Sequence, residues 1–158
     1  MANTQSMCTS FMGELLTATH NFGTAPTRGT TAADTFKAAL YLTTATINAA
    51  TTAYSATGEV TGTNYTAGGV TVTNATAPTA TNSSATAGVA YWTPSASFVY
   101  TTVTLSTAFD TVLLYNSTQS NKAVSVHTFG SQTITAGTFT LTMPSNTTTT
   151  ALLRLSTT

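Results

Sequence analysis

The chain has 158 residues, enough for one domain with a buried core, but only 5% of them are charged. An average domain has roughly 25%. The formal net charge is zero and the basic residues are scattered singly, so the chain lacks the basic surface that nucleic-acid phosphates require. No apolar run is long enough for a transmembrane helix, and the first residues, MANTQSMCTS, lack the basic and apolar regions of a secretory signal.

Threonine occupies more than a quarter of all positions. Its β-branched side chain suits a strand, and its hydroxyl keeps a surface wettable without charge, which favours an all-β protein. A chain with so few charges is poorly protected from self-association, so an assembly is expected. The single cysteine, Cys8, excludes an internal disulfide, and its apolar neighbours predict a small buried residue.

One helix is predicted near the start, in CTSFMGELLTATHNF. Thr9 or Ser10 is suited to cap it, and Asn21 with Gly23 offers a stop. Five residues share one face at helical spacing: Phe11, Met12, Leu15, Leu16 and Thr19.

From Thr35 onward the apolar residues alternate with a period of two, as in strands. The predicted strands are TFKAALYLT, GVTVT, SFVYTTVTLS, DTVLLYN, KAVSVHTF, TFTLTMP and TALLRLS. Turn signals recur at the spacing typical of a sandwich or barrel. We predict an N-terminal helix and arm over residues 1–34 and a β-sandwich, of jelly-roll type, over residues 35–158. The segment TNATAPTATNSSATAG is interpreted as a long loop or a bulged edge.

Few side chains in the chain are suited to catalysis. The titratable candidates are Glu14, His20, Asp34, Glu59, Asp110 and His127. Glu14 and His20 lie six residues apart, so a regular helix would point them in roughly opposite directions. No second His or Cys stands at metal-ligand spacing, and neither a nucleophile elbow nor a phosphate-binding loop motif occurs. We therefore expect no enzyme activity, and no catalytic, cofactor-binding or metal-binding residues.

For two features, a structural and a functional interpretation both stay open. His127 points away from Val124 and Val126 on its predicted strand, which favours a structural or surface histidine over a catalytic one. The aromatic residues Trp92, Tyr91 and Tyr100 would form a carbohydrate platform if they were exposed together, but the same residues are ordinary core material.

Five segments resemble, in their order, a group of small tailed-phage virion proteins. They are TFKAALYLTTATINAATTAY, GEVTGTNYTAGGVTV, VAYWTPSASF, VLLYNSTQSNKAVSVHTFGSQTITAGTFTLTMP and LLRLS. The shared patterns are F-K-x-A-L-Y, E-V-x-G-x-x-Y-x-x-G-G, W-x-x-x-x-x-F and F-G-S-x-x-x-T-x-G-T-F-T-L. The resemblance covers about Thr35 to Leu155, and its specificity lies in the order of the segments. The chain differs from this pattern in its long Thr-rich middle and its Cys-bearing N-terminal segment.

The resemblance implies a structural protein of the virion, with a capsid decoration (cement) protein as the leading hypothesis. Such a protein would lie on the outer surface of the capsid and bind the major capsid protein and copies of itself, as a trimer. The segment Met1 to Phe22 is expected to make the contacts between subunits or with the capsid. The alternatives are a tail, baseplate or fibre component of the same virion, and a carbohydrate-binding module.

The same interpretation explains the Gly-rich stretch from Gly58 to Asn74 without catalysis. Gly68 and Gly69 are predicted to adopt positive φ angles in a turn before the strand at Val70. Glu59 is then expected to order the loop by accepting backbone N–H groups, or to pair with a neighbouring basic group.

Overall fold

The computed structural model describes residues 3–16, 18–23, 33–74, 76–81 and 88–156. Two antiparallel sheets and one short helix make up the described chain, which confirms the predicted all-β sandwich. The jelly-roll form stays a prediction. In chain order the elements are β1 (Ser6–Met7), α1 (Thr9–Leu16), β2 (Phe36–Leu42), β3 (Val70–Thr71), β4 (Thr79–Ala80), β5 (Val89–Trp92), β6 (Phe98–Asn116), β7 (Lys122–Leu141) and β8 (Leu153–Ser156).

The larger sheet has the strand order β1-β7-β6-β2-β3, and the smaller sheet has the order β4-β5-β8. Strand β2 pairs with β6 from Phe36 opposite Asn116 to Leu42 opposite Phe109. Five of the seven residues of β2 are buried, as expected for a strand covered on both faces. In the smaller sheet, Trp92 of β5 is only 3% exposed and belongs to the same hydrophobic core.

Strands β6 and β7 form one long hairpin, of 19 and 20 residues. The sequence predicted four separate strands over this part of the chain, and that prediction was wrong. Five register shifts interrupt the pairing of the two strands, and Thr102 and Ala136 adopt positive φ angles beside them. Such bulges bend a strand without ending it. The bent hairpin folds back onto β2, where the hydroxyl of Tyr100 in β6 donates to the carbonyl oxygen of Ala38 at 2.8 Å.

The predicted helix exists but is shorter than its apolar pattern. It ends at Leu16, and Ala18 has a left-handed φ of 53°. Phe11 is buried in the core, as expected for the apolar face. Met12, predicted on the same face, is 50% exposed, since it lies about 100° around the helix from Phe11.

The N-terminal residues contribute to the core of the sandwich. Cys8, Phe11 and Phe22 are buried in the same cluster as Phe36 and Trp92. Phe22 stacks on Phe36 with ring centroids 4.3 Å apart and contacts Trp92 at 4.8 Å. These residues therefore stabilise the fold through apolar burial.

The Thr-rich middle segment was predicted to be a loop or a bulged edge. Its residues Thr79–Ala80 form β4, a two-residue edge strand of the smaller sheet. Residues 75 and 82–87 of the segment lie outside the described residues, as do residues 24–32 of the preceding loop.

Candidate functional site

The structure brings Glu14 and His20 together. Nε2 of His20 lies 2.7 Å from Oε2 of Glu14, so the prediction that they point in opposite directions was wrong. The reason is that the helix ends at Leu16 and the left-handed Ala18 reverses the chain before His20. Helical spacing applies only inside the helix.

Three further side chains complete what we call the N-terminal polar cluster: Glu14, His20, Asp34, Asn116 and Lys122. Glu14 accepts from Nζ of Lys122 at 2.7 Å. Nδ2 of Asn116 lies 3.1 Å from Nδ1 of His20 and donates to Oδ2 of Asp34 at 2.8 Å. The cluster therefore joins the N-terminal segment to the turn between β6 and β7.

The hydrogen bonds of the cluster fit a neutral imidazole. Since the amide of Asn116 is a donor, Nδ1 of His20 accepts and Nε2–H donates to Glu14. Burial lowers the pKa of His20 below its ordinary value, and this outweighs the opposing effect of Glu14. The pKa of Glu14 is also lowered, because its desolvation is outweighed by the hydrogen bonds of Lys122 and His20 and by the charge of Lys122.

The cluster is suited to holding the chain together and offers no free base. The side chain of His20 is fully buried, and both of its ring nitrogens are occupied. General base catalysis needs an imidazole within reach of a substrate proton. Asp34 is likewise occupied, since it accepts from the backbone N–H of Asn21 at 2.8 Å and from the amide of Gln119 at 3.2 Å.

Glu59 is buried in a cage of hydrogen-bond donors. Its carboxylate accepts from the hydroxyls of Tyr54 and Tyr65, each at 2.7 Å, and from the backbone N–H of Gly68 at 2.7 Å. Gly68 and Gly69 have φ angles of 88° and 72°, as predicted. The prediction that Glu59 orders the loop by accepting a backbone N–H is confirmed.

The tyrosines around Glu59 extend the cage into the sheet. The hydroxyl of Tyr65 also accepts the N–H of Leu40 at 3.0 Å, and that of Tyr115 donates to the carbonyl of Gly68 at 2.8 Å. Burial and then the carboxylate of Glu59 raise the pKa of Tyr65 far above its ordinary value. The phenols therefore stay protonated and act as permanent donors to Glu59.

Asp110, the remaining acid, binds the beginning of the chain. Its carboxylate accepts from the amide of Asn3 at 2.8 Å and from the hydroxyl of Thr111 at 2.7 Å. The amide oxygen of Asn3 in turn accepts the N–H of Ile47 at 2.9 Å. Glu59 and Asp110 thus serve different contacts and share no site.

His127 has a hydroxyl partner that the sequence analysis missed. Nε2 of His127 lies 2.8 Å from Oγ of Ser125, because residues two apart on a strand share a face. The pair lines a cavity of about 290 Å³ together with Arg154 and Gln5. Among the described residues no carboxylate bonds the other ring nitrogen, so the third member of a catalytic triad is lacking in this part of the chain.

His127 gives the fold a predicted pH dependence. Burial lowers its pKa from 6.5 to about 4, so its contribution to stability is complete above pH 6.5 and is lost as the pH falls towards 4. We expect the free energy of unfolding to decrease over this range, and to decrease less steeply in His127→Gln. Denaturant titrations at pH 7, 5.5 and 4 measure both slopes. His20 contributes to both proteins alike, so equal slopes would contradict the role of His127.

A larger apolar cavity lies between the helix and the smaller sheet. Its volume is about 400 Å³, and its lining residues include Phe11, Leu15, Trp92 and Leu153. Trp92 and Tyr100 are each only 3% exposed. They do not form the exposed platform that the carbohydrate-binding alternative requires.

The remaining candidates are a reactive cysteine, a metal site and a membrane-spanning helix. Cys8 is fully buried, which confirms the prediction, and burial raises the pKa of its thiol to about 11. Over the described ranges, no three His, Cys, Asp or Glu side chains are grouped so that they could hold a metal ion. No helix in the same ranges is long and apolar enough to cross a membrane.

Comparison with known proteins gives no relative for this chain. No family model, curated protein or solved structure matches it.

Proposed function

We propose that the protein is a structural component of a tailed-phage virion, and specifically a capsid decoration protein. In this proposal it binds the major capsid protein on the outer surface of the head and contacts copies of itself. The resemblance over Thr35 to Leu155 supports the virion assignment, because the five segments occur in the same order.

The observation that carries the structural role is the internal use of the ionisable groups. All four acidic side chains accept hydrogen bonds from donors of the same chain: Glu14, Asp34, Glu59 and Asp110. His20 is fully buried, and His127 is bonded to Ser125. These groups stabilise the fold, and the described surface is left mainly to hydroxyls and scattered apolar side chains, with Arg154 as an exposed base. Such a surface suits packing against neighbours rather than chemistry.

Because a capsid repeats the same binding surface, weak contacts of this kind would be sufficient to hold the protein on it. A capsid lattice presents the same binding surface many times, and linked contacts gain from a high effective concentration without any new interaction. A cement protein therefore needs a stable body with a complementary surface, and it does not need a charged patch to steer association.

In this proposal the capsid contact lies on the folded surface and not on the N-terminal segment. The segment Met1 to Phe22 was expected to lie across a neighbour, but its described residues are bonded to their own sandwich. The N–H of Thr4 donates to Ile47, that of Cys8 to Val124 and that of Thr9 to Ala49, at 2.9 to 3.1 Å. We therefore assign the capsid contact to the folded surface. Deleting the first ten residues would remove β1 and Cys8 and would test folding instead.

The proposal predicts hundreds of copies of the protein per head. Heads assembled without the protein should bind the purified chain up to that number, and should then release DNA at a higher temperature than bare heads. Quantitative gel analysis gives the copy number, and a dye-release melt gives the temperature. As a control, protein unfolded and diluted immediately before mixing should neither bind nor protect.

A handful of copies, located at the tail by gold labelling, would contradict the decoration role and favour the tail, baseplate or fibre alternative. Absence of the protein from purified virions would contradict both. The carbohydrate-binding alternative is disfavoured by the burial of Trp92 and Tyr100.

A further inference from the structure

The second half of β7 is an edge of the larger sheet. Strand β1 pairs with β7 only at Ser125 and Val126. From Thr128 to Leu141 the backbone of β7 bonds to β6, and within the described residues no strand pairs with its other side. Along these fourteen residues, the backbone groups that point away from β6 have no strand partner within the described residues.

The composition of this edge does not protect it from pairing with another strand. Natural edge strands are commonly blunted by lysine, other charges, proline or bulges. From Thr128 to Met143 there is no charged residue and no proline. Four of the five register shifts fall between Thr128 and Phe139, whereas Phe139 to Leu141 pair regularly with Tyr100 to Phe98. The end of β7 is therefore the part whose geometry suits pairing.

The backbone direction at this end can be read from a neighbouring contact. The N–H of Met143 points towards β6, since it donates to Oγ of Ser97 at 3.3 Å. Backbone groups alternate in direction along an antiparallel strand. Those of Thr138, Thr140 and Thr142 accordingly point to the free edge.

The apolar residues beside the edge are incompletely buried. In β6, Phe98, Tyr100 and Leu105 are 1 to 3% exposed. Their β7 partners Leu141, Phe139 and Ile134 are only partly buried, although Phe139 packs against Phe109 at 5.1 Å. The core is thus open on the β7 side, and a strand added there would cover it.

We propose that the β7 edge, defined as Gly137 to Met143, pairs antiparallel with the same edge of a second copy of this chain. Two identical edges related by a two-fold axis are self-complementary, and such an interface closes on itself. A charge-free edge is the kind that can meet its own copy, because no like charges come to lie opposite each other. Threonine pairs across strands add to the stability of such a contact.

The inferred oligomer is a two-fold dimer, in place of the trimer that the resemblance implies. It does not rest on the proposed virion function, because it concerns the purified protein alone. A dimer in solution that has no capsid affinity would leave the inference intact.

The test uses a charge on the edge. In Thr140→Lys the two-fold axis brings two ammonium groups close together, so the dissociation constant of the dimer should rise at least tenfold. The control is Thr52→Lys, which should leave the constant within twofold of wild type. Thr52 is exposed, and its carbonyl oxygen accepts the N–H of Ala123 at the turn end of the hairpin, away from Gly137 to Met143. Sedimentation equilibrium measures dissociation, and thermal melts check that both variants fold.

Cross-linking identifies the contact directly. Thr140→Cys in a Cys8→Ala background should give a covalent dimer with a short bis-maleimide, and Thr52→Cys in the same background should not. A wild-type protein that stays monomeric at millimolar concentration would overturn the inference. So would a dimer that resists Thr140→Lys and fails to cross-link through position 140.

Discussion

Gly69→Ala is expected to lower the free energy of unfolding by at least about 3 kcal/mol. A β-carbon on Gly69 would overlap the carbonyl oxygen of Ala38 and lie 2.7 Å from Cα of Ala39. Both atoms belong to the backbone of β2, so a side-chain rotation cannot relieve the clash. The φ angle of +72° adds strain for any residue with a β-carbon.

Gly130→Ala is the matched control for this measurement. Gly130 also lies in the larger sheet, but a β-carbon there has no atom within 4 Å. Its substitution should change the free energy of unfolding by less than about 0.5 kcal/mol. Urea denaturation followed by tryptophan fluorescence compares the two variants, since Trp92 is buried and reports on the core. Equal stabilities would show that β2 does not approach the turn as closely as described.

Glu59→Ala is expected to destabilise the protein by about 3–5 kcal/mol. The substitution removes the acceptor of two phenols and one backbone N–H, and these donors are left in an environment with little water. A buried donor without a partner retains its full desolvation cost. Glu59→Gln keeps one acceptor oxygen and a similar volume, so it should lose roughly half as much stability.

Asp110→Ala serves as the comparison for Glu59→Ala. Its carboxylate accepts two side-chain bonds in a partly buried position, so the expected loss is about 1 kcal/mol. Denaturant titrations give the three values, and near-ultraviolet circular dichroism reports whether the tyrosines lose their fixed packing. A loss below 1 kcal/mol for Glu59→Ala would contradict the view that this carboxylate holds the loop and sheet together.

The strands were predictable because the alternation of side chains reflects burial of one face, as at the start of β6, where Phe98 and Tyr100 are buried and Val99 is exposed. The continuity of β6 and β7 was not predictable, since a bulge and a turn have similar local sequences. The segment GSQTITAG has the small and polar residues of a turn, yet it stays within β7. Pairing with β6 decides the outcome, and pairing is a property of the tertiary fold.

The polar contacts likewise include some that the sequence predicts and others that it does not. The role of Glu59 was predictable from the two adjacent glycines that follow it, because they require a turn whose N–H groups need an acceptor. The approach of His20 to Glu14 depends on where a helix of eight residues ends. The contacts of Asn116 and Lys122 with the N-terminal segment span 96 and 108 residues, which no local pattern reveals.

These long spans have a consequence for the order of folding. The hairpin of β6 and β7 closes through a five-residue turn, so its nucleation costs little chain entropy. The first segment leaves the ribosome long before the residues that receive it, Asn116, Lys122 and Val124. During synthesis Cys8 and Phe11 therefore cannot reach their place beside β7 until residue 124 has been made. We expect docking of the N-terminal segment to follow formation of the hairpin.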